Sequence, residues 1–266
     1  MTTFQKVIKN LAIAFAIFLI ISIIGGVLGI VGLIGGISDA DAVLEENKAY
    51  SVTSEIKTLE IDINAADVQI EKGSEFSVES NLKYLDIKEK GEKLVLSDNQ
   101  KFGKTYKDAK LKIIIPEKTV FEEIEINTGA GRLTADTLSS GSLKLSFGAG
   151  EVAIGELNSS VNTDIDGGAG KITVSGGSLA ALDLDMGIGK LELKSKLVGN
   201  CELDFGVGES NITLLGGKDN YALDIEKGLG NITVDGKLIS DFEISESGDN
   251  RIDIDGGVGA INISFE

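Results

Sequence analysis

Histidine and tryptophan are absent from this 266-residue chain, and proline and cysteine occur once each. Without histidine the commonest general base at neutral pH and a major metal ligand are missing, which excludes catalytic triads and zinc sites built on imidazole. A lone cysteine, Cys201, closes no disulfide within the chain and says little about redox compartment. Basic residues are also scarce: 25 Lys and Arg face 42 Asp and Glu, for a formal charge of −17. That balance argues against a nucleic-acid partner. The arginines are Arg132 and Arg251 alone. Against these deficits stand 34 glycines and 42% hydrophobic residues, which suit short strands joined by tight turns rather than helix bundles.

The long apolar run is confined to one end. Residues 11–37 carry no charge, and as a helix they would reach about 40 Å, enough to cross a hydrocarbon core of about 30 Å with tilt. Lys6 and Lys9 precede the run, while Asp39, Asp41, Glu45 and Glu46 follow it. The positive-inside rule then places residues 1–10 in the cytoplasm and the remainder outside a bacterial cell membrane, on a single pass. Ala40-Asp41-Ala42 has the form of a signal-peptidase site, but the run exceeds the 7 to 15 residues usual for signal peptides, so an uncleaved anchor is expected. Gly25, Gly29, Gly32 and Gly36 share one face of such a helix. They permit either close packing in self-association or docking on a membrane partner, or they reflect the general abundance of glycine in membrane helices.

Residues 38–55 are polar and acidic without a sustained apolar period, and read as a juxtamembrane linker. Residues 56–120 open with Leu59, Ile61, Ile63, Val68 and Ile70 in alternation around Ala65-Ala66, a degenerate repeat with alanines in place of glycines. A hairpin follows over residues 84–97. Leu111, Ile113 and Ile115 then alternate up to Pro116, which cannot donate to a ladder and fits a strand end.

Residues 121–266 hold seven Gly-x-Gly units: Gly129/Gly131, Gly148/Gly150, Gly168/Gly170, Gly187/Gly189, Gly206/Gly208, Gly228/Gly230 and Gly257/Gly259. The steps between them are 19, 20, 19, 19, 22 and 29 residues, the signature of a solenoid. Three residues before each first glycine stand Ile126, Leu145, Ile165, Leu184, Leu203, Ile225 and Ile254. Five before it stand Ile124, Leu143, Thr163, Leu182, Cys201, Leu223 and Ile252, and beyond the turn Leu133, Val152, Ile172, Leu191, Ile232 and Ile261 continue the rule. Period-two alternation on both sides of the turn predicts two short strands per coil, facing one stacked core. Cys201 thus reads as a small buried hydrophobe. The glycines supply positive φ or close backbone approach at the corner. The longer steps after Gly206 and Gly228 are expected to bulge outward as loops.

The outward positions of five coils carry paired carboxylates: Asp164/Asp166, Asp183/Asp185, Glu202/Asp204, Asp224/Glu226 and Asp253/Asp255. Stacked at about 4.8 Å, neighbouring unit charges repel by about 0.9 kcal/mol even in water. Lys171 and Lys190 just past the glycines could relieve this ladder. So could Ca²⁺, the only cofactor with any support, although no EF-hand or calcium β-roll pattern is present. A simply solvated acidic face needs neither. Gly167-Gly168-Ala169-Gly170-Lys171 fails as a phosphate loop, because Ile172 stands where Ser or Thr is required. Glycosidase chemistry needs one carboxylate pair set apart from the rest, and every rung offers a similar pair. No catalytic residue is therefore assigned, and a non-enzyme is expected.

The early strands from Leu59 to Ile70, the strand end Lys112-Ile113-Ile114-Ile115-Pro116 and the serial Ile-x-x-Gly-Ala-Gly-x-Leu/Val units resemble the bacterial "putative adhesin" domain of unknown function 4097, related to the toastrack domains. That resemblance, from about Thr58 onward, implies a β-solenoid in a bacterial membrane protein, often encoded with envelope-stress or two-component signalling systems of the Lia and phage-shock type. It implies no catalytic residues. The expectation is an all-β ectodomain, a single-stranded, β-helix-like solenoid of roughly 19–22-residue coils behind one transmembrane helix. Its expected work is non-enzymatic, binding or scaffolding other envelope or membrane proteins in an envelope-stress response. A surface adhesin or wall-polymer-binding module, dependent on divalent cations, is the alternative.

Overall fold

The computed structural model describes residues 44–99, 108–239, 242–244 and 248–266. The expected membrane span, with Gly25, Gly29, Gly32 and Gly36, lies outside the described residues. Among the described residues no helix is long and apolar enough to cross a membrane, and the helical structure is a single 3₁₀ turn, Lys218–Asn220.

The described residues are nearly all β, a solenoid-like stack of parallel coils. Here the seven Gly-x-Gly coils are numbered 1 to 7 in sequence order. Coils 1 to 3 lie within one continuous strand path, Phe121–Val174, followed by Leu182–Val198 and Asn200–Leu214 for coils 4 and 5. Coil 6 is Tyr221–Glu226 and Leu229–Val234, and coil 7 is Asn250–Asp255 and Val258–Phe265. Every residue of the inward columns is buried, with Ile124, Ile126, Leu145 and Leu203 at 0% exposure. Burial of each such aliphatic side chain contributes about 1.5–3 kcal/mol, and only stacking makes that burial available.

Coils 1 to 4 have more than the two expected strands. A third wall carries Leu138, Leu157, Leu179 and Leu197, all at 1% exposure or less. Leu179 pairs with Leu197, and Leu157 pairs with Gly177. The interior beside this wall is partly polar and internally bonded. Ser159 Oγ lies 2.5 Å from Thr163 Oγ1, accepts from Ala180 N at 2.9 Å, and Ser195 Oγ donates to Gly177 O at 3.1 Å.

Coil order in space departs from coil order in sequence. Coils 4 and 5 pair in register, Leu184 opposite Leu203, but the next neighbour of coil 5 is coil 7, with Leu203 opposite Ile254. Coil 6 lies beyond it, Ile225 opposite Ile254 and Ile232 opposite Ile261. The long steps are thus not outward loops, and that expectation is corrected. The 22-residue step carries the chain across the width of a second coil through Gly216, Gly217 and the 3₁₀ turn. The 29-residue step builds two antiparallel caps on the outer edge of coil 6, Lys237–Leu238 on its second strand and Phe242–Ile244 on its first, before the chain returns inward.

The other end shows a related inversion. Thr58–Gly73 forms a coil whose inner edge meets coil 1, Ile61 opposite Ile126. Its outer edge carries Lys93–Asp98 and Lys110–Pro116, Leu94 opposite Leu59 and Ile113 opposite Ile70. The glycine replacement is offset by one residue from that expected: Ala66 opposes Gly131, and Asn64 rather than Ala65 underlies Gly129. Antiparallel strands again close the edge, Leu85–Lys90 on Lys93–Asp98 and Ser77–Leu82 on Lys110–Pro116. Leu44–Ser51, within the polar linker segment, adds to Ser77–Leu82 as a further edge strand. It is exposed on both faces, so it lacks the alternation that marks a half-buried strand.

Candidate functional site: an acidic face beside a glycine corner

Because strand residues alternate in and out, each inward pair fixes the outward pair beside it. Stacking then aligns the carboxylates into two columns. One runs Asp164, Asp183, Glu202, Asp253, Asp224 and the other Asp166, Asp185, Asp204, Asp255, Glu226. All ten predicted ladder residues are brought together, with coil 7 supplying the fourth rung rather than the fifth.

The charges perturb one another where the face is most crowded. Neighbouring Asp204 and Asp183 push the Glu202 carboxyl above its ordinary range. Partial burial, then Asp255 and Asp185, does the same to Asp204. One Asp204 carboxylate oxygen is buried without a hydrogen-bond partner. Relief comes from Arg251, on the inserted coil, which reaches Asp224 at 2.8 Å and Asp253 at 3.0 Å. The suggested role of Lys171 and Lys190 is not what the geometry gives. They lie past the corner, where Lys171 pairs with Glu192 at 3.4 Å and Lys190 pairs with Glu192 at 3.1 Å and Glu209 at 3.7 Å. The corner turns them onto a different wall from the ladder. Carboxylates in parallel columns point outward side by side, and among the described residues no three His, Cys, Asp or Glu side chains converge to hold a metal ion.

The corner itself explains the glycines. A Cβ on Gly150 would sit 1.9 Å from Gly131 O, where φ is already 142°. No side chain can occupy such a position without parting the coils. Six of the second glycines take φ between 119° and 153°, Gly230 being the exception. The first glycines instead need only the space, as at Gly148, whose Cβ would lie 2.2 Å from Gly129 O. Between the glycines the middle residue changes along the stack from Ala130, Ala149 and Ala169 to Ile188, Val207, Val258 and Leu229, the last 57% exposed. The acidic face is therefore bordered by a corner ridge that becomes more apolar toward the inserted coil.

Cys201 is buried at 3% exposure, and desolvation raises its thiol pKa, as expected of a structural cysteine. Tyr221 was not singled out by its sequence context. It is 1% exposed, donates its hydroxyl to Leu215 O at 2.5 Å and accepts from Leu197 N at 3.4 Å, closing the third wall below coil 4. A tyrosine seven residues before the first glycine, where the other coils carry Glu122, Gly141, Val161, Ala180, Gly199 and Asn250, was the available signal. Elsewhere, a cleft of about 640 Å³ is lined by residues that include Val52, Phe76, Pro116 and Val120, and by no ladder residue. Lys57 in that cleft bridges to Glu92 at 2.5 Å and reaches Glu122 at 4.0 Å.

No curated protein matches the chain. A solved structure of a "putative adhesin" from Bacteroides fragilis is similar at 15% identity, covering 82% of this chain and 95% of that one, with a TM-score of 0.48. One described as a "putative cell adhesion protein" from Clostridium sporogenes is 16% identical, covers 83% and 99%, and has a TM-score of 0.36. A "putative lipid binding protein" from Parabacteroides distasonis is 13% identical, covers 82% and 96%, and has a TM-score of 0.34. The family model Toastrack DUF4097 matches residues 56–264, well over half of the sequence and nearly all of the described coils, so the chain belongs to the Toastrack DUF4097 family.

Proposed function

We propose that this chain is a non-enzymatic cell-envelope protein, anchored by residues 11–37, whose extracytoplasmic solenoid binds or scaffolds other envelope proteins in a stress response. The observation that carries the reading is the acidic face: ten carboxylates aligned over five coils, bridged among the described residues by Arg251 alone. Such a surface attracts a cationic protein face over a distance and suppresses anionic partners. The apolar corner ridge beside it offers area that charge alone does not. Carboxylate pairs recur on all five rungs, and the raised Glu202 and Asp204 stand in the same columns as their neighbours, so the face is read as an array.

Crosslinking in membranes, comparing the full chain with ladder variants, tests this. Asp183→Asn with Asp185→Asn should weaken capture of the partner partly, and neutralising all five rungs should abolish it, both losses shrinking at high salt. Capture that is indifferent to the five-rung variant would sink the proposal. Retention on wall polymer that requires millimolar Ca²⁺ would favour the cation-dependent adhesin instead. Polysaccharide turnover lost on changing one rung would establish an enzyme.

A further inference from the structure

Coil 7 is last in the sequence and interior in the stack, and this mismatch has a consequence for association. Both its edges are fully engaged. Ile252 and Ile254 lie between Cys201 and Leu203 on one side and Leu223 and Ile225 on the other. The slot that holds it is selective. A Cβ on Gly257 would lie 1.8 Å from Phe205 O on coil 5, and one on Gly228 of coil 6 would lie 1.7 Å from Gly256 O of coil 7. Only a segment with glycine at the corner, and apolar residues where Ile252, Ile254, Ile261 and Ile263 stand, fits between the two walls.

Coil 6 has its own outer caps but, among the described residues, no strand pairing to coil 5, so the slot is completed only when a coil 7 enters it. Coil 6 precedes coil 7 in the chain, and so do the strands that cap its outer edge, Lys237–Leu238 and Phe242–Ile244. The chain then passes from Ile244, on the outer side of coil 6, to Asn250, on its inner side, with five residues between. Gly248 in that passage has φ 115°, and its backbone is pressed against coil 6, since a Cβ there would lie 2.3 Å from Tyr221 N. Short connections under constraint favour exchange of the following element between copies, because both arrangements make the same contacts.

We infer that the slot between coils 5 and 6 is an interaction surface whose partner is coil 7 of a second copy of this chain. A copy that receives coil 7 from its neighbour has a complete stack, with Arg251 of the donor restoring the ladder's cation. This goes beyond the acidic-face proposal and does not depend on it, since the surfaces and the partners differ.

The test is to co-express two differently tagged full-length copies, both carrying Cys201→Ala, one with Asn211→Cys and the other with Asn262→Cys. These positions pair across the seam, Asn262 Nδ2 donating to Asn211 Oδ1 at 2.9 Å. Paired strands about 4.8 Å apart lie within disulfide reach. Oxidation in the membrane should give an interchain disulfide at least tenfold above a control that combines Asn211→Cys with Glu192→Cys, whose coils are consecutive. A single chain bearing both Asn211→Cys and Asn262→Cys reports the unexchanged form. Quantitative closure within that chain, with mixed copies no better than the control, would overturn the inference, as would no closure in either arrangement. Thr213→Cys with Ser264→Cys, a second pair across the same seam, must give the same answer.

Discussion

The two ends of the stack use the same repeat and pose different assembly problems. At the N-terminal end the coil Thr58–Gly73 comes first in the sequence, and later segments add to its free edges, Lys110–Pro116 on one side and coil 1 on the other. At the C-terminal end coil 7 comes last, and coil 6 joins the stack only through it, paired to coil 7 on one side as coil 5 is on the other. Contacts in the finished fold are equivalent, so burial does not distinguish the ends. What differs is the order in which those contacts can form, which governs rates rather than the final free energy.

Breaking the slot should have the largest effect. Gly257→Ala places a Cβ 1.8 Å from backbone on coil 5 and should cost more than about 4 kcal/mol, enough to detach the C-terminal coils. At the N-terminal end, Gly91→Ala meets no atom within 4 Å and only a φ of 64°, so it should cost about 1–2 kcal/mol. Urea melts of the two variants of the full chain in detergent measure the difference, and equal losses would show that the slot yields.

Next come truncations in the core. Ile61→Ala and Ile254→Ala, both at fully buried positions, should each cost about 2–5 kcal/mol. They should divide by kinetics: Ile61→Ala slows refolding, whereas Ile254→Ala mainly speeds unfolding because its contacts form late. Stopped-flow tyrosine fluorescence would show this. Refolding slowed as much by Ile254→Ala would mean that the inserted coil belongs to the nucleus.

Charge gives a smaller contrast, of opposite sign at the two ends. Glu89, near the N-terminal cap, is held below its ordinary pKa by hydrogen bonds from Ser54, Tyr50 and Thr53. Its contribution is present above the unfolded pKa and lost as pH falls through the lowered folded one. Glu202 and Asp204 have raised pKa values, so their ionisation opposes folding. That penalty is absent below the unfolded carboxylate pKa and complete above the folded one. Glu89→Gln should lower the melting temperature at pH 7 and Glu202→Gln should raise it; as pH falls the Glu202 effect disappears first, below the unfolded carboxylate pKa, and the Glu89 effect only once its lowered folded pKa is passed. The smallest expected change is Arg251→Gln, a slight destabilisation that salt reduces. A rise in melting temperature for Arg251→Gln would show that the ladder needs no cation.

Strict alternation and paired glycines made the inward columns and the acidic columns legible, since both follow from the geometry of a single coil. Neighbour order did not follow. Coils 5, 6 and 7 carry the same pattern, so Leu203 fits Ile225 or Ile254 equally well, and only the lengths of the 22- and 29-residue steps hinted at a detour. The third wall was obscured because it contributes one leucine in each of coils 1 to 4 at uneven spacing, Leu138, Leu157, Leu179 and Leu197, with serines packed inside beside it. The ladder's carboxylates could be read off, but its counter-cation could not. Arg251 reaches Asp224 from 27 positions away only because coil 7 is inserted, whereas Lys171 and Lys190, closer in sequence, are turned away by the corner.

The inserted coil also decides how the domain would respond to a pull. Gly216 and Gly217 donate to Glu266 O at 2.7 and 3.0 Å, and from Ile263 back to Asn250 coil 7 is paired along both sides. A force applied at Glu266 along the strand meets one-sided pairing only over the last three residues before it reaches strand held on both edges. It must slide one coil past two neighbours at once, loading many hydrogen bonds in shear together, so the end of this chain should be its strongest grip rather than its first point of failure.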